Sequence, residues 1–135
     1  MTDMSGTQEQ KKIVIIGASH IRRKFGNKAV RAYLESGYKV FAVNDNAHVE
    51  GVEGLPIYRS VMDIPESVEL ASVYLPAEKT LSIVDEIAQK GIKQIFLNPG
   101  AESPELVAAL EAKGVTPIQA CSIVATGKSP SMYAE

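Results

Sequence analysis

The run Lys12-Ile13-Val14-Ile15-Ile16, with its abrupt stop at Gly17-Ala18-Ser19, limits what this chain can become. An unbroken apolar, β-branched run with no polar alternation reads as a strand buried on both faces, as in a parallel sheet. Glycine followed by two small residues reads as a tight turn whose backbone comes close to something else. Where such a turn opens a helix, the unpaired N–H groups of the first helical turn form an anion site.

The rest of the chain alternates in the same manner. Met1–Gln10 is polar and aperiodic and is expected to be a disordered lead-in. After the first turn comes a basic loop through Arg22, Arg23 and Lys24, then a helix with Val30, Tyr33 and Leu34 on one face. Asn27 is the expected cap of that helix and Gly37 its left-handed stop. Tyr38–Val43 predicts a second strand, followed by loop with Gly51 and Gly54 and an extended Leu55–Tyr58. Ser60–Asp63 predicts one helical turn, stopped by Ile64-Pro65. Leu70–Leu75 predicts a strand, Glu78–Lys90 one helix ending at Gly91, and Lys93–Leu97 another strand. Ser103-Pro104-Glu105 combines a cap residue, proline in the first turn and an early acid, so a helix runs from there to Lys113. Val115–Ile118 predicts an edge strand, because Pro117 removes a ladder donor.

Helices between apolar strands imply an open, mostly parallel five-stranded sheet with helices on both faces, expected in the order 3-2-1-4-5. At 135 residues one domain is expected, over 11–127, with a tail at 128–135. The net charge of −2 offers no general attraction to nucleic acid or to an anionic membrane. No apolar run approaches the roughly 18–20 residues of a membrane span. The N-terminus lacks the apolar region of a signal peptide, and Cys121 has no second cysteine to pair with. A cytoplasmic location is the expectation.

In open sheets of this kind, ligands bind outside the carboxyl ends of the strands. Those ends are Gly17-Ala18-Ser19, Asn44-Asp45, Pro76-Ala77-Glu78 and Asn98-Pro99-Gly100, and their small or hydrogen-bonding residues converge on one crevice. The first turn departs from Gly-x-Gly-x-x-Gly: the second glycine position holds Ser19, and the next glycine is Gly26. The hydroxyl adds a donor, and Arg22, Arg23, Lys24 and Lys28 follow it. That combination fits a polyphosphorylated ligand better than plain NAD.

Val14–Ser19, Gly37-Tyr38-Lys39-Val40, Gly54–Ser60 with Asp63-Ile64-Pro65, Asn98–Ser103 and Cys121, taken in order, resemble the small stand-alone CoA-binding proteins. The resemblance covers about Lys12 to Val124. It implies the Rossmann-like CoA-binding domain shared with the succinyl-CoA synthetase α-subunit. By position it assigns the CoA phosphates to Gly17, Ala18 and Ser19, with help from Arg22, Arg23, Lys24 and Lys28. It assigns the nucleotide to Asn44, the pantetheine to Pro76, Ala77 and Thr80, and the far wall to Asn98, Pro99 and Gly100. Cys121 then lies near the cleft, where it could form a mixed disulfide with the CoA thiol.

Two departures stand out. The family has proline after the second-strand asparagine, whereas this chain has Asp45, an acid able to bond a ribose diol and to repel a 3′-phosphate. Its paired prolines are here Pro76-Ala77. No catalytic constellation emerges: His20 and His48 lie in loops without metal-ligand spacing, and Ser19 has no base. The expected function is binding of CoA or acyl-CoA without catalysis by this chain alone, with room for a homo-oligomer or a protein partner. An NAD(H)-binding redox sensor or small oxidoreductase, and an interaction subunit with a vestigial nucleotide site, are the alternatives.

Overall fold

The structure, a computed structural model, describes residues 10–133. The expected lead-in therefore lies, apart from Gln10, outside the described residues, as do the last two residues of the expected tail. Strand β1 (Lys12–Ile16) is central, and helix α1 (Phe25–Glu35) leads to β2 (Lys39–Val43). A hairpin follows, β3 (Gly51–Val52) and β4 (Leu55–Tyr58), then a single 3-10 turn at Val61–Asp63 and β5 (Leu70–Val73). Helices α2 (Ala77–Leu81) and α3 (Val84–Lys90) precede β6 (Gln94–Leu97), and α4 (Pro104–Ala112) precedes β7 (Thr116–Ile118).

The α/β class is as expected, but the sheet has seven strands in the order β3-β4-β2-β1-β5-β6-β7, not five in the order 3-2-1-4-5. The difference originates at Glu53-Gly54. Both residues have positive φ, 49° and 82°, as a type I′ hairpin turn requires. The turn sets Val52 opposite Leu55 and folds the stretch expected as loop into an antiparallel pair. Strand β4 then takes the outer edge of β2, with Ala42 opposite Ile57. With that edge occupied, the 70–73 strand pairs instead with the free edge of β1, Val14 opposite Ala71. Every pairing except β3–β4 is parallel.

Alternate residues of β1 feed two cores. Val14 and Ile16 join Phe41, Val73, Ile87, Leu97, Leu106 and Leu110 under α2, α3 and α4. Ile13 and Ile15 join Ala29, Val30, Tyr33, Val40, Ile123 and Tyr133 under α1 and the C-terminal segment. The four apolar residues of β1 are each at most 1% exposed. Burial of each such side chain contributes about 1.5–3 kcal/mol, so β1 is the backbone of both cores.

Helix ends follow local chemistry with two corrections. Gly37 has φ 87°, and Tyr38 N–H reaches Tyr33 O while Gly37 N–H reaches Leu34 O, the double closure of a Schellman end. The rings of Tyr33 and Tyr38 pack edge to face at 4.8 Å across that end. Ser103 caps α4 by accepting from Leu106 N–H. Asn27, however, is not a cap: the helix starts at Phe25 after Lys24, and Asn27 is buried within its first turn. Tertiary partners claim its side chain, which donates to Ser19 O and Glu53 Oε2 and accepts from Arg31 Nε. The helix expected over 78–90 is also two helices, broken at Ser82-Ile83, where Ser82 Oγ bonds back to Lys79 O and Ile83 takes φ −118°, ψ 15°.

Candidate functional site

Two glycines allow the first turn to be as tight as it is. Gly17 has φ 89°, and a Cβ there would lie 2.8 Å from Tyr74 O. Gly26, in the first turn of α1, comes so close that its Cβ would sit 2.4 Å from Gly17 O. It thus serves the helix-to-strand contact of the last glycine in a dinucleotide fingerprint, although the spacing is longer. The amides of Gly17 and Ala18 both donate to Val43 O, at 2.8 and 3.2 Å, locking the β1 turn to the end of β2. Ser19 Oγ accepts from Ile21 N–H at 3.0 Å. These bonds occupy the Gly17, Ala18 and Ile21 amides, and at the start of α1 Asn27 N–H and Lys28 N–H both bond back to Lys24 O.

The basic loop is fastened from below. Arg31 donates to Arg22 O and Tyr133 O as well as to Asn27. Arg22 Nε lies 3.6 Å from Glu53 Oε2, so its charge is partly answered by the hairpin turn. Lys28 Nζ lies 5.3 Å above the exposed ring of Phe25, and Lys24 is exposed just before the helix.

Between the carboxyl ends of β1 and β2 lies a cavity of about 260 Å³. Ile16, Val43, Val61, Leu75 and Ile83 wall it, with Gly17, Asn44 and Asp45 at the strand ends and Arg59, Ser60, Lys79 and Glu86 supplying further polar groups. Asn44 is held by donating to Ala18 O at 2.7 Å and accepting from Asn46 N–H at 2.8 Å. Arg59 donates to the carbonyls of Asn44 and Asn46, which places a cation beneath the turn that carries the exposed Asp45. A larger cavity of about 860 Å³ opens at the amino ends of the strands, around Lys11, Lys12, Glu69 and Lys93. It is on the wrong side of a parallel sheet for a strand-end ligand.

Of the expected residues, the cavity gathers Gly17, Asn44 and Asp45; the others stand around it or apart from it. Pro76 is exposed before α2, and its carbonyl accepts from Lys79 and Thr80 N–H; Ala77 is the first residue of α2. Thr80 is fully buried, and its Oγ1 has no hydrogen-bond partner. Pro99 and Gly100 are exposed in the turn closed by Ala101 N–H to Asn98 O.

Asn98 is nearly buried and fully engaged. Its Nδ2 donates to Ser72 Oγ and Val73 O, and its Oδ1 accepts from Ser122 N–H. Ser122 Oγ contacts Ser72 Oγ at 2.7 Å and Tyr74 OH at 2.9 Å, and Ser122 O accepts from Tyr33 OH. Burial raises both tyrosines above their ordinary value, so each phenol remains neutral in the folded state. Cys121, half-buried beside Ser122, packs against the core beneath α1, whereas the 260 Å³ cavity is walled by residues of the opposite core.

The sequence reading missed Arg59, Ser60, Lys79 and Glu86 as lining residues. The available signal was Glu53-Gly54 between two extended stretches. Recognised as a hairpin turn, it brings Arg59 and Ser60 to the end of the strand beside β2. No helix among the described residues is long and apolar enough to cross a membrane.

A CoA binding domain family model matches residues 11–127. The chain is 32% identical over 89 residues to the acetate–CoA ligase (ADP-forming) I subunit alpha of Pyrococcus furiosus, covering 63% of this chain and 19% of that subunit. It superimposes on a hypothetical protein from Pyrococcus horikoshii with a TM-score of 0.79 at 28% identity, covering 85% of this chain and 80% of that one. The acetyl-coenzyme A synthetase 1 of Ca. Korarchaeum cryptofilum matches with a TM-score of 0.69 at 26% identity, over 82% of this chain and 25% of that one. The chain thus spans about a fifth of the ligase subunit and a quarter of the synthetase.

Proposed function

The chain belongs to the CoA binding domain family, and from that premise we propose that it binds CoA or an acyl-CoA without catalysing a reaction alone. The observation that carries this reading is the apolar cavity beside Gly17 at the carboxyl ends of β1 and β2. At about 260 Å³ it suits one nucleoside rather than a whole CoA, whose longer remainder would lie outside it. The diphosphate then follows the Ser19–Lys28 stretch, where Lys24 and Lys28 bring positive charge to the start of α1. The pantetheine passes the turns at Pro76-Ala77 and Asn98–Gly100.

Because its relatives include ligase chains several times longer, a protein partner that supplies the chemistry is part of the proposal. Calorimetric titration with CoA, acetyl-CoA, dephospho-CoA and NAD tests it. Saturable binding of CoA or acetyl-CoA, with NAD much weaker, is the expected result. Tighter binding of NAD than of any CoA species overturns it.

One observation favours a second reading. Asp45 lines the cavity next to the end of β2, where an acid can accept from a ribose diol. On that reading NAD binds more tightly than CoA, and Asp45→Ala removes the preference.

A further inference from the structure

The cavity between β1 and β2 holds one acid that the proposed binding mode has not used. Glu86 lies in the first turn of α3, half-buried, and its Oε1 accepts from Ser60 Oγ at 2.6 Å. Ser60 is fixed in turn, because the same Oγ accepts from Met62 N–H at 3.0 Å as the cap of the 3-10 turn. The carboxylate is therefore held in one orientation at the cavity wall by a hydroxyl that is itself held. Arg59 and Lys79 line the same cavity, yet among the described residues neither forms an ion pair with Glu86. Arg59 is occupied by the carbonyls of Asn44 and Asn46. A carboxylate accepts about four hydrogen bonds, and among the described residues one is supplied, so acceptor capacity remains beside apolar walls.

Such a site calls for a flat apolar group that carries an N–H donor. Val43, Val61, Leu75 and Ile83 provide the faces, and Glu86 provides the acceptor at the edge. A metal ion is a poor fit, because no group of three His, Cys, Asp or Glu able to hold one is found among the described residues. We propose that Glu86, oriented by Ser60, reads the base of the bound nucleoside by accepting from the exocyclic amino group of adenine. The inference rests on the nucleoside placement argued above, and it assigns this crevice a preference for adenine over a base with a carbonyl at the same position.

Titration with ADP, with inosine 5′-diphosphate, which exchanges that amino group for a carbonyl and N1 for an N–H, and with purine riboside 5′-diphosphate, which only lacks the amino group, tests it in the full chain, with CoA titrated in parallel. ADP is expected to bind roughly tenfold or more tightly than either analogue, the worth of one charge-assisted hydrogen bond. In Glu86→Gln the ADP-to-inosine ratio falls toward unity, because the amide offers a donor to the hypoxanthine oxygen. Ser60→Ala, which frees the carboxylate, reduces the ratio while thermal unfolding shows both variants folded. Equal affinity for ADP and either analogue in the wild type, or an unchanged ratio in Glu86→Gln, overturns the assignment even if CoA binds. Failure of CoA itself to bind overturns the nucleoside placement and this assignment with it.

Discussion

The first turn of α1 rests on the first turn of the sheet so closely that a methyl group on Gly26 would meet Gly17 O at 2.4 Å. Gly17 O is backbone, so it cannot swing aside as a flexible side chain would. Gly26→Ala is expected to push α1 outward, destabilising the fold by about 1–3 kcal/mol as overpacking does. The same shift withdraws the N-terminal amides of α1 from the proposed phosphate path, so a fall in CoA affinity is expected as well. Urea denaturation and calorimetry check the two effects separately.

Asn98 bridges three elements at the carboxyl end of the sheet, and all its polar atoms are satisfied within the protein. Asn98→Leu leaves Ser122 N–H without its buried acceptor, while Ser72 Oγ loses the amide donor but keeps its contact with Ser122 Oγ. A buried group stranded in this way costs about 1–3 kcal/mol, and a loss of that size is expected in chemical denaturation. Because the Cys121–Ser122 segment is tied down through this amide, Cys121 should also react faster with a thiol reagent in the variant.

Thr80 presents the opposite case, a fully buried hydroxyl with no partner. Thr80→Val keeps the shape and removes the stranded group, so it is expected to stabilise the free protein by about 1 kcal/mol. If the pantetheine reaches Thr80, as the family resemblance implies, the same variant binds CoA more weakly. Thermal unfolding with and without CoA separates the two roles.

Tyr33 and Tyr74 contribute to the alkaline limit. Burial raises both above the ordinary 10.0. The folded state holds these protons more tightly than the unfolded chain, so their contribution to stability is complete below pH 10. As pH rises from there toward the folded-state values, the unfolded chain loses protons first and stability falls. Absorbance at 295 nm should show these two phenols ionising together with unfolding. Tyr33→Phe is expected to flatten the alkaline limb.

Residue by residue, the local signals were reliable where a few neighbours decide the outcome. The unbroken apolar run of β1, the positive-φ glycines at 37 and 91, and the Ser103-Pro104 start each express backbone chemistry that does not depend on distant contacts. Asn27 misled because the same side chain that caps helices also satisfies Ser19, Glu53 and Arg31 when buried, and that demand prevailed.

By itself the sequence determined the α/β class and the turn at Gly17, because these follow from side-chain periodicity and steric freedom over short spans. Only the tertiary structure decided the strand order and the cavity wall. The four-residue strand β4 has little intrinsic preference, and its pairing with β2 depends on a hairpin turn and a vacant edge. That pairing places Ser60 where it meets Glu86, 26 residues further along the chain, and completes a crevice that no local pattern announces.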